Sequence, residues 1–155
     1  MFKKLLIILL TLFIFTGCEK KINQDDDIER IRLTTKYYNK GEFIKINKAD
    51  LLTINENKES YALFIYNNYC SFTVPCDEIF LSFMKKYDID FLEMKFEDFK
   101  DTAFYEKVKY APSIIIVDKG EIIAFLDAES DEDLDRYQDT AKFEEWMNKF
   151  VYFTK

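Results

Sequence analysis

Two cysteines six positions apart, Cys70 and Cys76, are the residues of this chain whose type and spacing could do chemistry. The second follows Pro75 and opens a run in which Ile79, Phe80, Phe83, Met84 and Tyr87 fall on one face. That spacing predicts a helix from about Pro75 to Tyr87, with proline where a helix start tolerates it. A helix N-terminus offers unpaired N–H groups and partial positive charge, which stabilise a thiolate and make it reactive. Thr73 is placed to cap that end, while Asp77 and Glu78 in the first turn oppose thiolate formation by like charge. Other chemistries lack material. The chain has no histidine, which removes Cys–His and Ser–His catalysis and the usual zinc sites, and three glycines make no phosphate loop. The acidic run Asp127, Glu129, Asp131, Glu132, Asp133, Asp135 lacks the glycine and closing glutamate of a calcium loop and reads as a solvated linker. No metal and no cofactor is expected.

The elements that must position the cysteines follow from periodicity. Tyr61 to Tyr66 is a continuous apolar and aromatic run, the pattern of a strand buried on both faces, and it breaks at Asn67-Asn68 just before Cys70. Upstream, Glu42 to Ile46 reads as a strand and Lys48 to Lys58 as a short helix. Downstream, Ile89 to Phe96 alternates as a strand, and Asp101 to Lys109 reads as a helix with Ala103, Phe104 and Val108 inward. Ser113–Val117 and Ile122–Leu126 flank Asp118-Lys119-Gly120-Glu121, a hairpin turn. The last helix carries Phe143, Trp146, Met147, Phe150 and Val151 on one stripe, with Trp146 in the core. Alternating strands and helices predict a parallel sheet built by right-handed crossovers, and the closing hairpin adds antiparallel strands.

Tyr69-Cys70 after a buried strand, Pro75-Cys76 opening a helix, and Ala111-Pro112 before a hairpin together resemble the thioredoxin-like superfamily, over roughly residues 41–153. The short Lys-Gly-Glu hairpin and Lys/Phe-rich helices are similar to the bacteriocin-accessory and related thioredoxin-like proteins of low-GC bacteria. The resemblance implies an α/β fold: a three-layer sandwich with a central mixed β-sheet flanked by helices. It also implies that Pro112 is cis and that the backbone around Ala111 and Pro112 pairs with a substrate peptide. Two departures stand out. The family spacing is Cys-x-x-Cys, whereas here Cys70-Ser-Phe-Thr-Val-Pro-Cys76 inserts three residues, a loop that still lets a disulfide close. The family's buried acid, six residues before the first cysteine, is replaced by Phe64.

The chain opens with an address. Met1-Phe2-Lys3-Lys4 is a basic start, Leu5 to Phe15 is almost unbroken apolar sequence too short for a comfortable span, and Phe15-Thr16-Gly17-Cys18 resembles a bacterial lipobox. Residues 1–17 are expected to be a lipoprotein signal peptide, with Cys18 lipidated and residues 18–40 a tether that ends in a helix. The thioredoxin-like domain would follow over 41–155. Removing the signal leaves 20 basic residues against 29 acidic ones, a net charge of −9. Such a chain is a poor partner for nucleic acid or an anionic surface, so membrane attachment falls to lipid, outside the cytoplasm.

The resulting reading is a membrane-anchored thiol–disulfide oxidoreductase. Cys70 attacks and Cys76 resolves, Ala111 and Pro112 hold the substrate backbone, and Phe72 and Val74 in the inserted loop offer apolar contact. Its partners would be protein or peptide thiols and disulfides, with a redox partner in the membrane. The alternative is a redox-inactive binding or accessory lipoprotein in which the same pair is a structural disulfide, as an oxidising compartment favours.

Overall fold

A computed structural model describes residues 29–67 and 75–154. Among these residues, five strands form one mixed sheet: β1 (Phe43–Lys45), β2 (Tyr61–Tyr66), β3 (Phe91–Lys95), β4 (Ser113–Asp118) and β5 (Glu121–Phe125), in the order β1-β3-β2-β4-β5. β3 runs parallel to both β1 and β2, while β4 is antiparallel to β2 and to β5. This is the mixed sheet expected from the sequence. β2 lies at its centre with residues 61–65 all buried, which is why its sequence does not alternate.

The α-helices of the described residues are α1 (Lys48–Glu56), α2 (Cys76–Tyr87), α3 (Phe96–Phe99) and α4 (Thr140–Phe150), and they flank the sheet. The crossover β1-α1-β2 steps over β3, and β2-α2-β3 steps back beside β2. Right-handed connections running in opposite directions place α1 and α2 on opposite faces. The side chains agree. Tyr61 reaches α1, its hydroxyl donating to Asn55 Oδ1 at 2.6 Å, whereas Phe64, of opposite parity on β2, meets Phe80 of α2 with ring centroids 5.2 Å apart. Helix starts follow local chemistry. Asn47 and Asp50 form a reciprocal capping box on α1, and Asp139 accepts from Ala141 N and Lys142 N at the head of α4.

The α2–α4 face holds an aromatic core. Phe80 and Phe143 lie 4.7 Å apart, Phe83 meets Phe143 edge-on at 5.2 Å, and Phe143 stacks on Trp146, which is buried as its stripe implies. Gly41 turns the chain under α2 with φ +72°. A Cβ there would lie 2.6 Å from the Met84 carbonyl oxygen, so both the turn and the close approach require glycine.

Three segments depart from the sequence expectation. Residues 101–109 form no α-helix: α3 ends early, where the Thr102 hydroxyl donates to the Phe99 carbonyl, and a short 3-10 turn spans Ala103–Glu106. The stretch assigned to the tether before Gly41 packs on the domain. Ile31 bridges to Val151, Leu33, Tyr37 and Tyr38 are buried, and only a 3-10 turn over Thr35–Tyr37 forms. The acidic run is not simply solvated. Asp133 is buried, accepts from the Asp127 amide at 2.8 Å and pairs with Arg136, and a 3-10 turn over Leu134–Tyr137 buries Tyr137.

Candidate functional site

Cys76 is the first residue of α2, directly after Pro75, which occupies the N-cap position with φ −57° and ψ 124°. The apolar stripe of α2 turns this sulfur inward with Ile79 and Phe80, leaving Cys76 2% exposed while Asp77 and Glu78 face solvent. Facing it is the start of β4, where the Ala111–Pro112 peptide is cis. β4 is antiparallel to β2 with Ser113 opposite Ile65, and this register brings Pro112 beside the C-terminal end of β2. Both Cys76 and Pro112 line one cleft of about 350 Å³, walled by Phe43, Phe64 and Tyr66. Asn67, the residue after β2, donates from Nδ2 to the Ala111 carbonyl at 3.2 Å. Of the residues singled out in the sequence, Cys76, Ala111 and Pro112 are thus brought together. Cys70, Phe72, Val74 and Cys18 lie outside the described residues.

The cleft also contains an acid. Glu93 on β3 stands opposite Phe64 on one side and Lys45 on the other, and its carboxylate lies 3.7 Å from Lys45 Nζ. Glu93 and Lys45 line the same cleft as Cys76. At this position of the cleft β2 carries Phe64, and the acid beside it stands on the neighbouring strand. Sequence reading passes over Glu93 because strand alternation makes it an ordinary outward polar residue. Its place beside Phe64 depends on a cross-strand register between segments about thirty positions apart.

Tyr137 is a further missed residue. It is 1% exposed, and its hydroxyl lies 2.9 Å from both the Pro112 and the Leu126 carbonyl oxygens. Burial holds this hydroxyl well above its ordinary pKa, and the negative charges of Asp133 and Asp127 add in the same direction. Tyr137 is therefore a neutral donor at any pH the protein meets. Its partners are backbone carbonyls, which no side-chain motif reveals.

The fold has recognisable counterparts. No family model and no curated protein matches the chain, but solved structures do. A mutant form of thioredoxin from Halobacterium salinarum covers 74% of this chain and 95% of its own, with 13% identity and a TM-score of 0.51. The fold is thioredoxin-like. Thioredoxin from Schistosoma mansoni (21% identity, 72% of this chain and 97% of its own, TM-score 0.49) and spinach chloroplast thioredoxin f (18%, 71% and 97%, 0.46) are also similar. Within this thioredoxin-like fold a thiol at the head of α2 faces a cis-proline at the head of β4. The site sets this buried sulfur and cis-Pro112 along one cleft.

Proposed function

We propose that this chain is a thiol–disulfide oxidoreductase held outside the cytoplasm by lipid on Cys18, and that Cys70 and Cys76 are its redox pair. The observation that carries the redox reading is the placement of Cys76 at the head of α2, in one cleft with cis-Pro112. In the proposed cycle the Cys70 thiolate attacks one sulfur of a substrate disulfide. A mixed disulfide forms and the other substrate sulfur leaves as a thiolate that takes up a proton. Cys76, deprotonated, then attacks the Cys70 sulfur, releasing the second substrate thiol and leaving a Cys70–Cys76 disulfide. The substrate gains two electrons and two protons, and an external dithiol restores the pair. A sulfur 2% exposed suits the resolving role better than the attacking one. Reduction of a disulfide-bonded peptide, with dithiothreitol as electron source, tests the reading: the mature domain is expected to accelerate it well above dithiothreitol alone.

The burial of Cys76 also favours a second reading, a binding lipoprotein whose cysteines form a structural bridge. It differs in predicting no acceleration at all.

Anchoring has its own test. Cys18→Ala is expected to move the protein out of the membrane fraction and to remove an acyl-sized mass from its N-terminal peptide. Unchanged membrane partition with an unlipidated Cys18 in the wild type would contradict the anchor.

A further inference from the structure

The connection between β5 and α4 reads from sequence as an acidic linker, yet it delivers a buried hydroxyl to the site. Tyr137 closes the 3-10 turn Leu134–Tyr137, and that turn is fixed from below by Asp133, which accepts from the Asp127 amide and pairs with Arg136. Two carbonyls lie within reach of the Tyr137 hydroxyl, but it carries one proton. The Leu126 carbonyl has a donor of its own in Ser113 Oγ at 2.6 Å, so the Tyr137 proton is available to the Pro112 carbonyl. The ring of the same tyrosine packs edge-on against Phe80 at 6.0 Å, and Phe80 lies one helical turn after Cys76 on the same face of α2. One side chain thus touches both halves of the site, the head of β4 through its hydroxyl and the head of α2 through its ring.

We propose that Tyr137 is a positioning residue for thiol–disulfide exchange, fixing the Ala111–Pro112 edge at a set separation from Cys76 so that a paired peptide presents its disulfide in register. The role rests on the redox reading above. Losing the hydroxyl leaves the Pro112 carbonyl buried without that donor, and the edge relaxes toward other partners. A peptide that must pair with the backbone loses orientation, whereas a small disulfide that meets the sulfur directly does not depend on it.

The experiment compares Tyr137→Phe with wild type on a disulfide-bonded peptide and on 5,5′-dithiobis(2-nitrobenzoate), an aromatic disulfide with no peptide backbone. The phenylalanine keeps the ring and its packing on Phe80. For the peptide, kcat/KM is expected to fall about tenfold, mainly through KM, the scale of one buried hydrogen bond. The rate with the aromatic disulfide should stay within about twofold. Equal losses on both substrates, or no loss on either, would overturn the role. A wild-type protein inert towards the peptide disulfide would instead overturn the redox reading, and this role with it.

Discussion

Cys76→Ser is expected to abolish turnover of a peptide disulfide, lowering the rate at least about 100-fold while leaving the domain folded. The two-step exchange makes the effect independent of which sulfur attacks. If Cys70 attacks, the mixed disulfide has no internal thiol to resolve it and turnover stalls after one event. If Cys76 attacks, the first step is lost. The fold tolerates the change because serine is nearly isosteric with cysteine, and Pro75 and the stripe of α2 are untouched. A hydroxyl in a site 2% exposed costs about 1–3 kcal/mol when it lacks a partner, less than the stability of an ordinary domain. Thermal unfolding measured beside the kinetics separates lost chemistry from lost structure. A folded Cys76→Ser protein retaining half the wild-type rate would remove Cys76 from the mechanism.

Phe80→Ala is expected to be the most damaging single truncation in the core beneath the site, costing about 3–5 kcal/mol. Phe80 is fully buried, and its ring meets Phe64 of β2 at 5.2 Å, Phe143 of α4 at 4.7 Å and Tyr137 at 6.0 Å. It therefore joins the sheet, the partner helix and the segment that underlies Pro112. Collapse around the cavity would have to move three elements at once, so little of the loss can be recovered. Denaturant unfolding of the mature domain should show a midpoint shift with the slope unchanged. A loss below about 1 kcal/mol would mean that the aromatic cluster repacks freely, contrary to the close packing of these rings.

Some of this architecture is legible in the sequence, and the rest is hidden for identifiable reasons. α2 and α4 are readable because Ile79, Phe80, Phe83 and Met84, and again Phe143, Trp146, Met147 and Phe150, recur at helical spacing and face one another in the core. The β4–β5 hairpin is readable because Gly120 at φ +90° and Lys119 at φ +51° satisfy a tight turn, and central β2 because both its faces are apolar. Residues 101–109 mislead because Ala103, Phe104 and Val108 mimic a helical stripe, while Thr102 terminates α3 through a bond to a carbonyl three residues back. Ile31 looks like tether because its partner, Val151, lies at the far end of the chain.

The site divides in the same way. Cys76 and Pro112 announce themselves by residue type and by their places at element starts. Glu93, Asn67 and Tyr137 act through register and through bonds to backbone carbonyls, information that no local pattern carries. The acidic run illustrates the difference. Its charges suggest solvent, but Asp133 is tied to the Asp127 amide and Arg136, and that tie sets Tyr137 beneath the site.

The reduction potential of the Cys70–Cys76 pair, measured on the mature domain by equilibration in thiol–disulfide buffers, alkylation and intact mass, bears most directly on the proposed chemistry. A reversible two-electron couple between about −120 and −270 mV is expected, the range in which thiol oxidoreductases exchange electrons with their partners. A potential below about −300 mV would mark a structural bridge, and two thiols that never pair under oxidising buffer would mark no redox couple at all. Either result would contradict the oxidoreductase and leave the binding lipoprotein in its place.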